Sequence, residues 1–387
     1  MKNKTRNRVK NIFVLLLTLC GIVGILIYPE VSCDSAEQAI EMCLTVLVPT
    51  LFPFLVLSGI FIKCGFAERL GRLLDRFTKK VFCVGGNCSS AMILGLVSGF
   101  PVGAKTVSSL YKNGACSKVE AERTLAFCNN AGPSFILGTV GVGIWQSGKT
   151  GWLLWAVQIV SAVFVGIIVG RIWKGTADTV VFVNTKNNIP QKQSVLHVFL
   201  SSVTDGAVSM LYICSFVVFF AVAVSLLLHT GLIPSISAAI CKLFPFFERE
   251  TVESLLVGIF EMTTGVSRVG NSAPVLQNLA VTSALIGWAG ISVHCQVLSY
   301  ICDGGLSPKP YFIGKILQTA FATALIFICS FLIPSYKADI LPSSEIPQIS
   351  VYALVCGAVV AFSLTVLFLL FRSKKQTEKT VKFSRKP

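Results

Sequence analysis

The sequence is poor in charge. Only 13% of its 387 residues are Asp, Glu, Lys or Arg, while 53% are hydrophobic. An ordinary soluble domain carries about 25% charged residues. So much apolar side chain behind so few charges excludes a soluble enzyme, a disordered chain and a secreted disulfide scaffold, and it leaves a polytopic membrane protein. Histidine is scarce too, with three residues (His197, His229, His294) far apart, and no HExxH occurs. No histidine metal cluster is expected from that spacing. The 14 cysteines form no CxxC pair, and Cys20, Cys128, Cys214, Cys329 and Cys356 fall inside apolar segments. They read as small buried apolar residues rather than a zinc or redox site. The segment from Gly99 to Thr106 resembles a phosphate loop only superficially, because three residues instead of four separate the glycines and Ala104 stands before Lys105. The chain is expected to be no enzyme and to need no cofactor or metal.

What charge there is has a pattern. The net charge is +15, and the cations sit at the ends and in short loops between apolar runs. That is the positive-inside distribution, not a nucleic-acid footprint. Eight crossings are expected, over residues 12–27, 44–62, 125–145, 152–170, 207–228, 281–301, 312–333 and 351–371. The first is read as an uncleaved span, since residues 29–33 offer no small-x-small cleavage site. The acidic stretch with Glu30, Asp34, Glu37 and Glu41 then belongs outside, and both basic termini belong in the cytoplasm. Residues 63–81 repeat apolar positions at three and four (Leu70, Leu73, Leu74, Phe77) among six basic residues, the pattern of a surface helix. Residues 89–111 are broken at Gly99, Pro101 and Gly103 and read as a re-entrant hairpin. The second half repeats the order, with an amphipathic stretch at 233–253 and a broken segment at 255–276, interrupted around Gly265.

Laid together at an offset of 163 residues, Gly95 falls on Gly258 and Lys105 on Arg268. With a loop five residues shorter, Ala131-Gly132 falls on Ala289-Gly290. The halves begin by crossing in opposite directions, so the expectation is an all-α protein with two hairpins in an inverted-topology repeat. The expected units are an N-terminal helix (1–34), a first repeat (35–173), a cytoplasmic linker (174–198), a second repeat (199–335), a C-terminal helix (336–371) and a basic tail (372–387). Inverted repeats are typical of secondary transporters, which bind substrate where helices break.

The candidate ligand-binding residues follow from that. Lys105 and Arg268 form a matched pair of cations suited to a small dianion, against the alternative that each snorkels to its interface. Glu261 is the only acid of the second hairpin; it is read as a ligand, an Arg268 partner or a proton carrier, or else as an acceptor for hairpin backbone donors. Asn129 and Asn130 precede Ala131-Gly132-Pro133 and suit either freed backbone groups or a ligand. Ser98, Phe100, Thr263 and Thr264 stand at the breaks, and His294 lies inside a span as a proton relay or a packed polar group.

Three stretches carry a resemblance: Leu47-Val-Pro-Thr-Leu-Phe-Pro-Phe54, Gly95-Leu-Val-Ser-Gly-Phe-Pro-Val-Gly-Ala-Lys105 and Phe127-Cys-Asn-Asn-Ala-Gly-Pro-Ser-Phe135. With Gly258-Ile-Phe-Glu-Met-Thr-Thr-Gly265, they resemble the YlbJ-type sporulation integral membrane proteins, of the nucleoside-recognition (Gate) group. That group is similar to part of the concentrative nucleoside transporters. The resemblance implies a role in endospore formation, with transport of dipicolinate across a membrane around the developing spore. Phe100 would suit the ring of that planar dianion. The expected partners are the lipid bilayer and a small organic anion, not nucleic acid. A coupling proton or sodium ion, and a homo-oligomer, stay open. Two other readings stand beside this one: a non-transporting scaffold for spore-envelope assembly, and a nucleoside transporter, which needs no paired cations.

Overall fold

The computed structural model describes residues 2–173, 194–269 and 275–332; the side chains of residues 2–10, 13, 67, 68, 70–72 and 332 are not described. Among the described residues the fold is all-helical. The expected linker (174–198) falls largely outside them, and the expected last span (351–371) and basic tail wholly so. Five helical stretches among the described residues are long and apolar enough to cross a membrane: Pro29–Lys63, Gly148–Ile172, Val195–His229, Val275–Asp303 and Lys309–Phe331. A sixth would be a bent pair, Leu73–Phe82 with Gly86–Ser98.

The N-terminal region is α1 (Lys2–Ile27), α2 (Pro29–Met42) and α3 (Val48–Lys63), with a π turn at Cys43–Leu47 joining α2 to α3. The acidic stretch expected as an outer loop is therefore helix, continuous with the next span. Thirty-five residues rise about 50 Å, against a hydrocarbon core of about 30 Å. The acidic end of the rod can thus stand clear of lipid. Helix α4 (Phe66–Phe82) covers the stretch expected as an amphipathic surface helix, and it leaves Leu73 79% and Phe77 53% exposed. It meets α5 (Gly86–Ser98) at 91°.

The two expected hairpins are helix–break–helix units. The first is α5, the break at residues 99–101, and α6 (Val102–Lys112), whose helices pack together. The second is α11 (Arg249–Phe260), a break at Glu261, and α12 (Met262–Ser267). Gly103 and Gly265, expected as break points, lie inside α6 and α12. The chain turns four residues earlier in each, where Gly99 takes φ +74° and Glu261 is extended. The amphipathic stretch at 233–253 is likewise divided, α10 (Leu232–Leu243) ending before α11 begins.

Residues 125–145, expected as one crossing, are not one helix. Helix α7 (Lys118–Leu125) stops, residues 126–132 leave helical geometry, and a π-helix runs from Ser134 to Ile144. Pro133 cannot bond back into a preceding turn, and Asn-Asn-Ala-Gly before it favours non-helical backbone. Its counterpart, α13 (Val275–Trp288) and α14 (Gly290–Asp303), breaks at Ala289 and Gly290, both with φ +78°. Helices α8 (Gly148–Ile172) and α15 (Lys309–Leu332) pack together, and α15 packs on α13. Helix α9 (Val195–His229) packs on α2 and α3 at the exposed margin. The buried core thus gathers around the broken helices.

Candidate substrate site at the helix breaks

The four breaks meet in pairs. A Cβ on Gly99 would stand 2.6 Å from the Gly132 backbone nitrogen, so the first hairpin break rests on the unwound segment of its own half. A Cβ on Gly290 would stand 2.9 Å from the Met262 backbone nitrogen, so the second hairpin break rests on the α13/α14 break. Only glycine fits such approaches, and both positions also need a positive φ.

Between the pairs lies a cavity of about 70 Å³. Ser98, Gly99 and Phe100 of the first hairpin line it, with Ala131 and Gly132 of the unwound segment and Ser134 at the start of the π-helix. Glu261, Met262 and Thr263 of the second hairpin line it too, with Ser292, Val293 and Gln296 of α14; α3 and α9 close the sides with Leu51, Phe54 and Ile213. The lining is mainly apolar. Yet the hydroxyls of Ser98 (7% exposed) and Ser292 (1%) are buried there without a hydrogen-bond partner. Buried polar groups are nearly always paired, so two orphaned hydroxyls on one cavity mark a place for a polar guest. The first turns of the 134–144 helix and of α14 also line the cavity, and helix N-termini favour negative charge.

Each expected site residue can now be placed. Ser98, Phe100, Glu261 and Thr263 line the cavity. Glu261 is 1% exposed and accepts from the backbone nitrogens of Thr263 (3.1 Å) and Thr264 (2.6 Å), capping α12. It therefore satisfies hairpin donors, and it makes no ion pair with Arg268. Lys105 and Arg268 are both exposed, and neither lines the cavity. The Thr264 hydroxyl is buried without a partner. Asn129 donates to the Leu125 carbonyl (3.2 Å) and Asn130 to that of Phe127 (2.8 Å), so both amides serve the unwound backbone. His294 shares a hydrogen bond with the Tyr311 hydroxyl through Nδ1 (2.8 Å), behind the cavity wall.

One group escaped the sequence reading. Lys315 on α15 is 1% exposed. Its Nζ donates to the Gln318 side-chain oxygen (3.0 Å) and the Gly287 carbonyl (3.3 Å), and stands 4.7 Å from the Phe100 ring centroid. Gln318 donates onward to Asn130 (2.6 Å) and Gln158 (3.2 Å), and Gln158 to the Ser283 carbonyl (2.9 Å). This buried polar chain ties α15, α8 and α13 to the unwound segment. The signal was present: a lone lysine within the apolar run at 312–333. A cation at membrane depth costs about 2.5–3.5 kcal/mol on insertion scales and is functional by default.

A polytopic helical membrane protein with broken helices around a small cavity is the class these features define. Residues 44–130 match the family described as nucleoside recognition, Gate, a region that reaches from the π turn through the first hairpin to Asn130. The sporulation integral membrane protein YlbJ of Bacillus subtilis (strain 168) is 28% identical over 333 residues, which cover 82% of this chain and 81% of that protein. The chain thus carries a Gate region and is a relative of an integral membrane protein of sporulation, as its motifs indicated. No solved structure matches.

Proposed function

We propose that the protein is a secondary transporter or facilitator of a small organic anion, dipicolinate during endospore formation, working by alternating access. The observation that carries this reading is the cavity where both hairpin breaks and both broken helices meet. Irregular backbone at membrane depth is tolerated where it is buried in protein or lines a cavity, and transporters bind there. At about 70 Å³ the cavity is roughly half the size of one that holds benzene, about 150 Å³. A planar aromatic solute enters only if the breaks move apart, as alternating access requires. Helix N-termini and the orphaned hydroxyls favour an anion.

Under this reading the two halves are inverted repeats, both termini are cytoplasmic, and the hairpins gate the site. Ser98, Phe100 and Thr263 contact the solute, and Lys105 and Arg268 draw anions toward the hairpins from the exposed surface. The setting, a membrane around the forespore, is taken over from the relative's role in sporulation.

A second reading has its own observation. Glu261 brings a carboxylate to the cavity wall, which suits a neutral polyhydroxyl solute such as a nucleoside better than a dianion. Flux of radiolabelled dipicolinate and uridine into proteoliposomes of the full chain separates them. Saturable dipicolinate flux that unlabelled uridine does not compete supports the anion reading. Uridine flux without dipicolinate flux replaces it. No flux of either, with proton or sodium gradients of both signs, overturns transport and favours the scaffold.

A further inference from the structure

The anion reading leaves the site without a cation on its wall, since Lys105 and Arg268 are exposed. Lys315 is the fully buried cation behind that wall. None of the ion pairs among the described residues includes it. Its three donor directions are used by the Gln318 oxygen, the Gly287 carbonyl and the face of the Phe100 ring. The first two are neutral acceptors; the third is only a π face, the weakest of the three toward a desolvated ammonium. A carboxylate would be a far better third partner.

The position of Lys315 adds to this. Phe100 lines the cavity on one side and covers Nζ on the other. Phe100 follows Gly99 directly, between the two helices of the first hairpin, with the turn spanned by a bond from the Val102 nitrogen to the Gly99 carbonyl (3.1 Å). Gly287 is two residues before the α13/α14 break, and Gln318 holds Asn130 in the unwound segment. Lys315 therefore touches the first hairpin break directly through Phe100, and it reaches the α13/α14 break and the unwound segment only through Gly287 and Gln318, so separation of the breaks changes its surroundings.

We propose that Lys315 receives a carboxylate of the transported solute, and that Phe100 is the side chain that shields it from the cavity until the first hairpin break moves. This rests on the anion-transport reading and deepens it. The ligand class is a small carboxylate with a flat apolar body. The carboxylate replaces the ring on Nζ, while the body occupies the space Phe100 vacates. The orphaned Ser98 and Ser292 hydroxyls belong to residues that line the adjoining cavity.

Two measurements on the full chain test it separately from the transport reading. The first is dipicolinate flux in proteoliposomes for wild type, Lys315→Gln and Lys315→Arg. Glutamine keeps donors without the charge, and arginine keeps the charge. KM rising at least tenfold in Lys315→Gln, with recovery in Lys315→Arg, is expected; an unchanged KM in Lys315→Gln overturns the carboxylate role and leaves transport standing. The second needs no flux: acylation of Lys315 by a small amine-reactive reagent, read by mass spectrometry. It should be at least tenfold faster in Phe100→Ala than in wild type, and slowed again by saturating dipicolinate or benzoate. Equal labelling in both proteins overturns the shield. Labelling that neither carboxylate slows overturns the carboxylate site even if wild type transports nothing.

Discussion

The two hairpin breaks solve one physical problem in different ways. Each interrupts a helix in the buried core and must satisfy or shield the backbone groups released. The second does it with a charge: the Glu261 carboxylate accepts from two backbone nitrogens of α12. The first has no side-chain cap. It is held by close packing on Gly132, and its Phe100 ring lies over Lys315. One break therefore places a carboxyl group on the cavity wall, and the other packs an aromatic ring over a buried amine.

The comparison can be broken at its packing first. A Cβ on Gly95 of α5 would run into the Cys128 backbone carbonyl, which cannot yield, whereas a Cβ on Gly258 of α11 would meet the Leu285 side chain, which can. Gly95→Ala should cost about 3 kcal/mol and Gly258→Ala about 1 kcal/mol, the top and bottom of the overpacking range. Thermal unfolding in detergent measures both, and equal losses would contradict the difference between the hairpins. Next is the cap. Glu261→Ala should cost about 2 kcal/mol, the upper end for losing an N-cap, and Glu261→Gln about half of that. No loss in Glu261→Ala would mean that the second break, like the first, stands without a side-chain cap.

The network joining the first half to α15 gives a smaller effect. A double-mutant cycle between Asn130→Ala and Gln318→Ala should return a coupling of about 0.6–1.7 kcal/mol, the range of hydrogen bonds within membranes. Additive losses would show that the 2.6 Å contact contributes nothing beyond packing. Smallest of all, Lys105→Ala and Arg268→Ala should each shift stability by less than about 0.5 kcal/mol, as exposed side chains do. A large loss from either would place that cation in a buried contact.

Much of the fold was legible because hydrophobic runs and charge asymmetry act locally. The amphipathic helix expected at 63–81 and the interruption expected within 89–111 came from spacing and from residues that cannot continue a helix. Where the reading failed, it relied on hydropathy alone. Residues 125–145 are apolar enough for a span, yet Asn129 to Pro133 unwind them. The site was less legible. Matching positions singled out Lys105 and Arg268, but position along a helix does not say which face looks inward. Lys315 was passed over because a lone cation in an apolar run looks like a flaw in the span until its neighbours are known.

By itself, the sequence determined that this chain is helical and made for a membrane, and which family it resembles. Those properties follow from composition, period and the chemistry of Gly, Pro and Asn, each of which acts within a few residues. The tertiary structure alone decided that the breaks meet at one cavity, that Glu261 spends its charge on its own helix, and that Lys315 lies sealed behind Phe100. Lys315 and Phe100 are far apart in the chain, and the burial of a charge depends on what packs around it.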